Sequence, residues 1–273
     1  MIAMITRRLS PTLRALPTLF AVSFAEAVAY RAEFLVWMLS NTMPLIMLAL
    51  WSAVARDAPV GRFGQKEFVS YFLATFIVRQ LTSSWAAWQM NYDIRQGTLA
   101  LRLLRPIHPM LMFAVENLAA QPMRLLVALP MAVIWLASVG AAQMPREPLS
   151  WALLVAALLG GWAITFCANF AIGCLAFFME SSIKAMDVWL ALYFVFSGYL
   201  IPVELFPPAV RAAGDWLPFR YQIGLPVELM TSAHERAAAV ALLWRQWVWV
   251  GIMLAGAIAL WRKGQQRFAA YGG

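Results

Sequence analysis

The chain has 273 residues, 63% hydrophobic and only 12% charged, with a formal net charge of +8. A soluble domain is about half apolar and a quarter charged, so the apolar excess has to face lipid. The arginines sit at the ends of apolar blocks, not along one polar face; this argues against nucleic-acid binding and marks them as membrane-flank charges.

At the N-terminus Leu9, Leu13, Leu16, Phe20, Phe24 and Val28 recur at three- and four-residue steps. That stripe predicts an amphipathic helix lying in the membrane interface over residues 17–30, with Pro11 and Pro17 making its approach irregular. The competing reading is an early start of the first membrane helix. Arg14 and Pro17 interrupt the run before Ala25, so a cleaved leader is not expected.

Six apolar blocks follow, over residues 34–55, 68–90, 111–140, 151–179, 183–201 and 241–261. Each is near the 20 or so residues a helix needs to cross a bilayer, so the predicted fold is an all-α polytopic membrane protein with six spans. Pro44 is expected to bend the first. The third is too long for one straight span; it is expected to begin as an elbow around Glu116 and Asn117 and to cross from Met123, with Arg124 snorkelling. Gly160, Gly161 and Gly173 in the fourth allow close approach of a neighbour. Cys167 and Cys174 are seven apart in that block, about 10 Å along a helix, and read as small packing residues. An even number of spans puts both termini on one side. The side carrying Arg7, Arg8, Arg14, Arg31, Arg95, Arg102, Arg105, Lys184, Arg262, Lys263 and Arg267 is the more basic and therefore cytoplasmic; Arg56, Arg62, Lys66 and Arg146 lie opposite.

Between the second and third blocks, residues 91–109 form a basic, amphipathic segment closed by Pro106 and Pro109. It reads as a cytoplasmic docking surface. A helix there would carry Asp93 near its N-terminus and Arg102 and Arg105 near its C-terminus, as a helix dipole favours. After the fifth block, residues 202–232 stay apolar but are broken by Pro202, Pro207, Pro208 and Pro218. Such a segment survives at membrane depth only where protein or a cavity covers it, which predicts short re-entrant helices dipping from the outer face. A structured external loop is the alternative.

No phosphate-binding Gly-x-x-x-x-Gly-Lys-Ser/Thr stretch occurs, since Gly61–Lys66 has the wrong spacing. His108 and His234 lack ligands at metal spacing, so neither a metal site nor a catalytic set is expected. Arg79, in the middle of the second block, requires a partner; Glu116 and Glu204 are the candidates, and a gate residue and a structural ion pair are the two roles open to it. Glu204 would line an exit route or bind a cationic solute. The dense tryptophans are membrane-belt residues or, with the methionines, walls of a greasy cavity.

Three motifs then coincide in order: the amphipathic N-terminal helix; Ile94, Arg95, Gly97, Leu99, Leu104, Arg105 and Pro106 after the second block; and Ser197, Gly198, Ile201, Pro202, Phe206, Pro207, Leu217, Pro218, Phe219 and Tyr221 after the fifth. Together they resemble the permease subunits of the ABC-2 type ATP-binding-cassette exporters, over nearly the whole chain. The resemblance implies a coupling helix within 91–109, with Asp93, Ile94, Arg95, Gly97, Leu99, Arg102, Leu104 and Arg105 receiving a separate cytosolic ATPase. It implies an external cap over 202–232 and an interface helix over 17–30. Arg79, Pro202, Glu204, Phe206 and Tyr221 are the pathway or gate candidates. No cofactor is expected on this chain; ATP and Mg would be bound by the partner. A second permease and membrane lipid are the other implied partners, and a bacterial-type cell membrane the implied location. The subgroup is similar to multidrug, daunorubicin-type or viologen exporters, which implies amphipathic or cationic cargo. A lipid or lipid-linked glycan exporter, a secondary transporter and an intramembrane enzyme are the rivals.

Overall fold

The structure, a computed structural model, describes residues 2–39, 41–140, 147–180, 182–231 and 235–268, with side chains from Arg14 onward except Phe34 and residues 37–39. Arg146, Ser232 at the end of the expected cap, and His234 lie outside the described residues, as do the side chains of Arg7 and Arg8.

The described elements are helical: α1 (Ile2–Ala29), α2 (Arg31–Leu39), α3 (Met43–Val54), α4 (Gln65–Thr82), α5 (Ala86–Arg95), α6 (Leu99–Leu103), α7 (Pro109–Ala119), α8 (Gln121–Trp135), α9 (Pro148–Cys174), α10 (Ile183–Phe196), α11 (Pro208–Gly214), α12 (Gly224–Met230) and α13 (Arg236–Gln265). A π-turn extends α8 through Leu136–Gly140, and tighter turns follow α9 at Leu175–Phe177 and precede α11 at Val203–Leu205. Much of this segmentation follows from proline. Helices α3, α7, α8, α9 and α11 all have proline in their first turn, where the missing N–H is not needed.

Among the described residues three continuous stretches are long and apolar enough to cross a membrane: Pro109–Gly140, Pro148–Phe177 and Arg236–Gln265. The other expected spans are broken. Block 34–55 ends one helix at Leu39 and begins another at Met43, so Pro44 opens α3 and does not bend a continuous helix. Block 68–90 is interrupted between Thr82 and Ala86, and block 183–201 stops being helical after Phe196. The elbow in the third block falls at Ala120, three residues after the expected place. The irregular approach to the N-terminal helix is absent: α1 runs through Pro11 and Pro17.

Helix α9 is the centre of the packing, against α13, α5, α4 and α12. Its glycines explain why. A Cβ on Gly173 would lie 2.6 Å from Met90 Cβ of α5, and one on Gly161 2.9 Å from the backbone oxygen of Gln222. The broken segment is drawn into this core: residues 218–229 are all buried. Backbone at such depth needs internal partners. Gln246 of α13 provides one, its amide donating to the carbonyl of Tyr221 at 2.7 Å and to that of Ala157 at 2.8 Å. Thr165 of α9 donates to Gln222 Oε1 at 3.0 Å. Arg220 is buried and is bonded to Glu228 at 3.0 Å and to Asp215.

The turn that leads into the segment depends on Gly198, at φ 83°. The Tyr71 hydroxyl donates to its carbonyl at 2.7 Å, and an added Cβ would stand 2.6 Å from that hydroxyl. Gly198→Ala is therefore expected to destabilise the fold by about 1–3 kcal/mol from the left-handed backbone alone. Thermal unfolding of the purified protein in detergent measures this, and an unchanged midpoint would refute it.

Candidate functional site

Residues 91–109 do not form one helix. They comprise the end of α5, a turn through Gly97 at φ 73°, the short α6, and the lead into α7. Asp93 therefore sits in the last turn of α5, at the C-terminal end and not the N-terminal end, and the helix-dipole expectation fails for it. An ion-pair cluster replaces the dipole. Arg102 of α6 donates to Asp93 at 2.6 Å and to Glu116 of α7 at 2.5 Å, and its guanidinium lies 4.3 Å over the Phe113 ring. Thr98 donates to Asp93 at 2.8 Å, and Gln89 to Glu116 at 2.5 Å. Burial acts to lower the Arg102 pKa, but the hydrogen bond and charge of Glu116, then those of Asp93, outweigh it and raise the guanidinium above its ordinary value. One cation thus ties three helices into a single body.

Leu99 is buried beneath this cluster with Ile94 packed on it. Leu101, Leu103 and Leu104 face outward, Leu104 at 82% exposure, with Tyr92 exposed nearby. Arg95 and Arg105 are also exposed. Arg95 donates to the carbonyl of Met179 at 2.8 Å, and Asn91 to Ser182 Oγ at 2.5 Å, anchoring the end of α5 to the connection between α9 and α10. A Cβ at Gly97 would meet nothing within 4 Å, so only its positive φ demands glycine.

The other end of this body meets the break between α4 and α5. Asn117 Oδ1 accepts from Ser84 Oγ at 3.0 Å and from the Trp85 backbone at 3.3 Å. Gln121 donates to the carbonyl of Leu81 at 3.0 Å. Arg124 donates to the carbonyls of Ser83 and Gln80, and its guanidinium stacks 4.7 Å over Trp85. These carbonyls are the ones a helix C-terminus leaves without partners. Arg124 is 2% exposed and so is not a snorkelling charge. Sequence reasoning missed this role because the break it caps carries no proline or glycine; the serine pair Ser83–Ser84 was the only local signal.

The pathway candidates are dispersed. Glu204 pairs with Arg62 in the α3–α4 connection. Pro202 and Tyr221 are buried, Phe206 is half-buried, and the Tyr221 hydroxyl donates to the Asp215 carbonyl at 2.7 Å. Arg79 has neither expected partner, because Glu116 belongs to Arg102 and Glu204 to Arg62. Its Nη1 instead lies 3.3 Å from the Tyr193 hydroxyl. Among the described residues no group of three or more His, Cys, Asp or Glu is arranged to hold a metal ion.

His108 caps α7, its Nδ1 accepting from the Met110 backbone at 3.2 Å. Burial, then the charge of Arg262, lower its pKa. A lowered folded value means that His108 contributes its stability above about pH 6.5, the unfolded value, and loses it as pH falls through the folded value. The wild type is expected to lose more thermal stability between pH 7.5 and 5.5 than His108→Gln, by a small margin that salt screens; equal losses would contradict this. Arg102→Met leaves two largely buried carboxylates unpaired and is expected to cost about 2–3 kcal/mol, measured by unfolding in detergent; a neutral result would remove Arg102 as the tie.

The family model for ABC-2 family transporter proteins matches residues 32–272. No curated protein matches the chain.

Proposed function

The chain belongs to the ABC-2 family of transporter proteins, and from that premise we propose that residues 91–109 are the point at which a separate ATPase drives it. As a permease component it is a membrane protein and not itself the catalyst of ATP hydrolysis. Permeases of this family generally pair with ATPase subunits, and ATP and Mg are read here as the partner's ligands.

The observation that carries the proposal is the leucine face of α6 standing free on an ion-locked support. Leu101, Leu103 and Leu104 are exposed, while Arg102 between them turns inward to Asp93 and Glu116. Adjacent exposed leucines mark a surface that another protein or the membrane covers, and the charged residues beside them favour a protein. Arg105 and Arg95 supply a charged rim. Because α5, α6 and α7 share one cation, a push on α6 moves α5 and α7 together. The breaks at 83–85 and at Ala120 bound this body on its membrane side, and Asn117, Gln121 and Arg124 pass the displacement to α4 and α8. Nucleotide drives the cycle by favouring one of the two arrangements.

The reading keeps six crossings, with 34–55, the α4–α5 pair and 183–201 crossing as interrupted helices and both termini cytoplasmic. The interface helix is 17–30 and the external cap 202–232, with re-entrant α11 and α12. The buried polar partners of Tyr221, Gln222 and Arg220 support that cap. The outer faces of α8 and α13, with Leu126, Val133, Trp244 and Ile252 exposed, are read as covered by lipid and a second permease. The cargo is an amphipathic small molecule moved outward; Glu204, the carboxylate considered for a cation, is already neutralised by Arg62.

Co-purification with an ATP-binding-cassette ATPase, followed by an ATPase assay in vesicles, tests this. Leu104→Asp and Gly97→Ala are expected to lower cargo-stimulated hydrolysis by about tenfold, the effect of losing 1.4 kcal/mol of coupling, with the Leu104→Asp unfolding midpoint unchanged. A wild type that binds no ATPase would overturn the exporter reading. Intact coupling in both variants would overturn the assignment of this segment.

A further inference from the structure

Arg79 has the environment of half a binding site. It lies in the last turn of α4, about 21 Å along the axis from that helix's start and just ahead of the break at Ser83. No carboxylate comes within ion-pair distance of it among the described residues; Glu116, Glu204 and Glu228 are engaged by Arg102, Arg62 and Arg220. Its guanidinium lies 5.1 Å from the centre of the Tyr193 ring and 5.9 Å from that of Tyr199. Its Nε is buried with no hydrogen-bond partner. The neighbouring cation does not compensate but adds to the positive charge: Arg124 Nη1 lies 3.4 Å from the carbonyl of Gln80, the residue after Arg79.

A cation set against an apolar cluster without a counter-charge is expensive, and in a membrane segment such residues mark ligand or ion pathways. Tyrosine faces stabilise a guanidinium, and the Tyr193 hydroxyl takes one donor, from Nη1, but Nε is left without an acceptor, and a guanidinium presents the fork that matches a carboxylate or phosphate. The same contact uses the two aromatic faces that would otherwise attract a cationic solute. Around them, Tyr193 and Tyr199 pack in an apolar cluster with Phe72, Val78, Trp189 and Phe194. The site therefore offers charge at one point and apolar walls beside it.

We propose that Arg79, framed by Tyr193 and Tyr199, binds the oxyanion end of an amphiphile, a carboxylate or phosphate, and so selects anionic over cationic cargo. Naming the ligand as cargo rests on the exporter reading; the anion site itself does not. An anionic lipid headgroup has the same chemistry, but headgroups lie at the membrane surface, and the apolar cluster around Tyr193 and Tyr199 favours an amphiphile whose tail it can cover.

Binding of dodecyl phosphate and of dodecyltrimethylammonium to the purified permease in neutral detergent tests the site. Dodecyl phosphate is expected to bind about tenfold or more tightly, with Arg79→Gln abolishing the preference and Arg79→Lys retaining part of it. Equal binding of the two probes by the wild type, or a preference that survives in Arg79→Gln, overturns the proposal. If Arg79→Gln does not fold, the wild-type preference and its reduction in Arg79→Lys decide. The permease–ATPase complex in pure phosphatidylcholine vesicles then identifies the source. Stimulation of hydrolysis by dodecyl phosphate supports cargo; no stimulation there, with phosphatidylglycerol competing for the site in detergent, overturns cargo selection and leaves a headgroup site. An Arg79-dependent preference in a protein that binds no ATPase defeats the exporter reading and leaves the anion site standing.

Discussion

The C-terminal end of α4 is gripped from the side by three residues of the α7–α8 elbow, and the rest of the molecule is arranged around that grip. A helix that stops inside an apolar environment leaves carbonyls that water cannot reach. Gln121 takes that of Leu81, Arg124 takes those of Gln80 and Ser83, and Asn117 accepts from Ser84 and Trp85 beyond the break. Without these groups the break between α4 and α5 would be costly. With them, the second membrane-length block is two rods joined at a satisfied corner. Arg124 is held there by Trp85 as well as by the carbonyls, so its charge is spent on geometry.

Below that corner, Arg102 makes α5, α6 and α7 one body; above it, the buried pair Arg220–Glu228 and the amide of Gln246 hold the proline-broken segment against α9 and α13. The two arrangements use polar chemistry differently. The lower one ties helices to one another near the surface and leaves leucines outside it. The upper one satisfies backbone that has left the helix, and nearly all of it is buried. Arg79 lies between them and belongs to neither. It donates to a phenol, that of Tyr193, within an apolar cluster, whereas buried Arg220 has the carboxylates of Asp215 and Glu228.

The segment over residues 91–109 was legible as a distinct place because proline and arginine bracket it, but its internal form was not. Asp93 and Arg102 are nine residues apart, a spacing that means nothing along one helix. The turn at Gly97 folds α6 back so that the two side chains meet, and Glu116 joins them from α7. In the same way Glu116 and Glu204 were reasonable partners for Arg79 on a list of charges. Local geometry gave each of them a closer arginine.

Composition and apolar block length by themselves determined that this chain is helical and belongs in a membrane, since continuous apolar runs of about 20 residues suit a spanning helix and lack the alternation of a barrel strand. Sequence order also located the basic segment at 91–109 and the proline-broken one after it, because those punctuation marks act locally. Only the tertiary structure decided where the helices break without proline, which carboxylates Arg62, Arg102 and Arg220 receive, and that Arg124 is buried on carbonyls while Arg79 meets no carboxylate among the described residues. Those outcomes depend on distances between residues remote in the chain, set by how closely α9 lets its neighbours approach at Gly161 and Gly173.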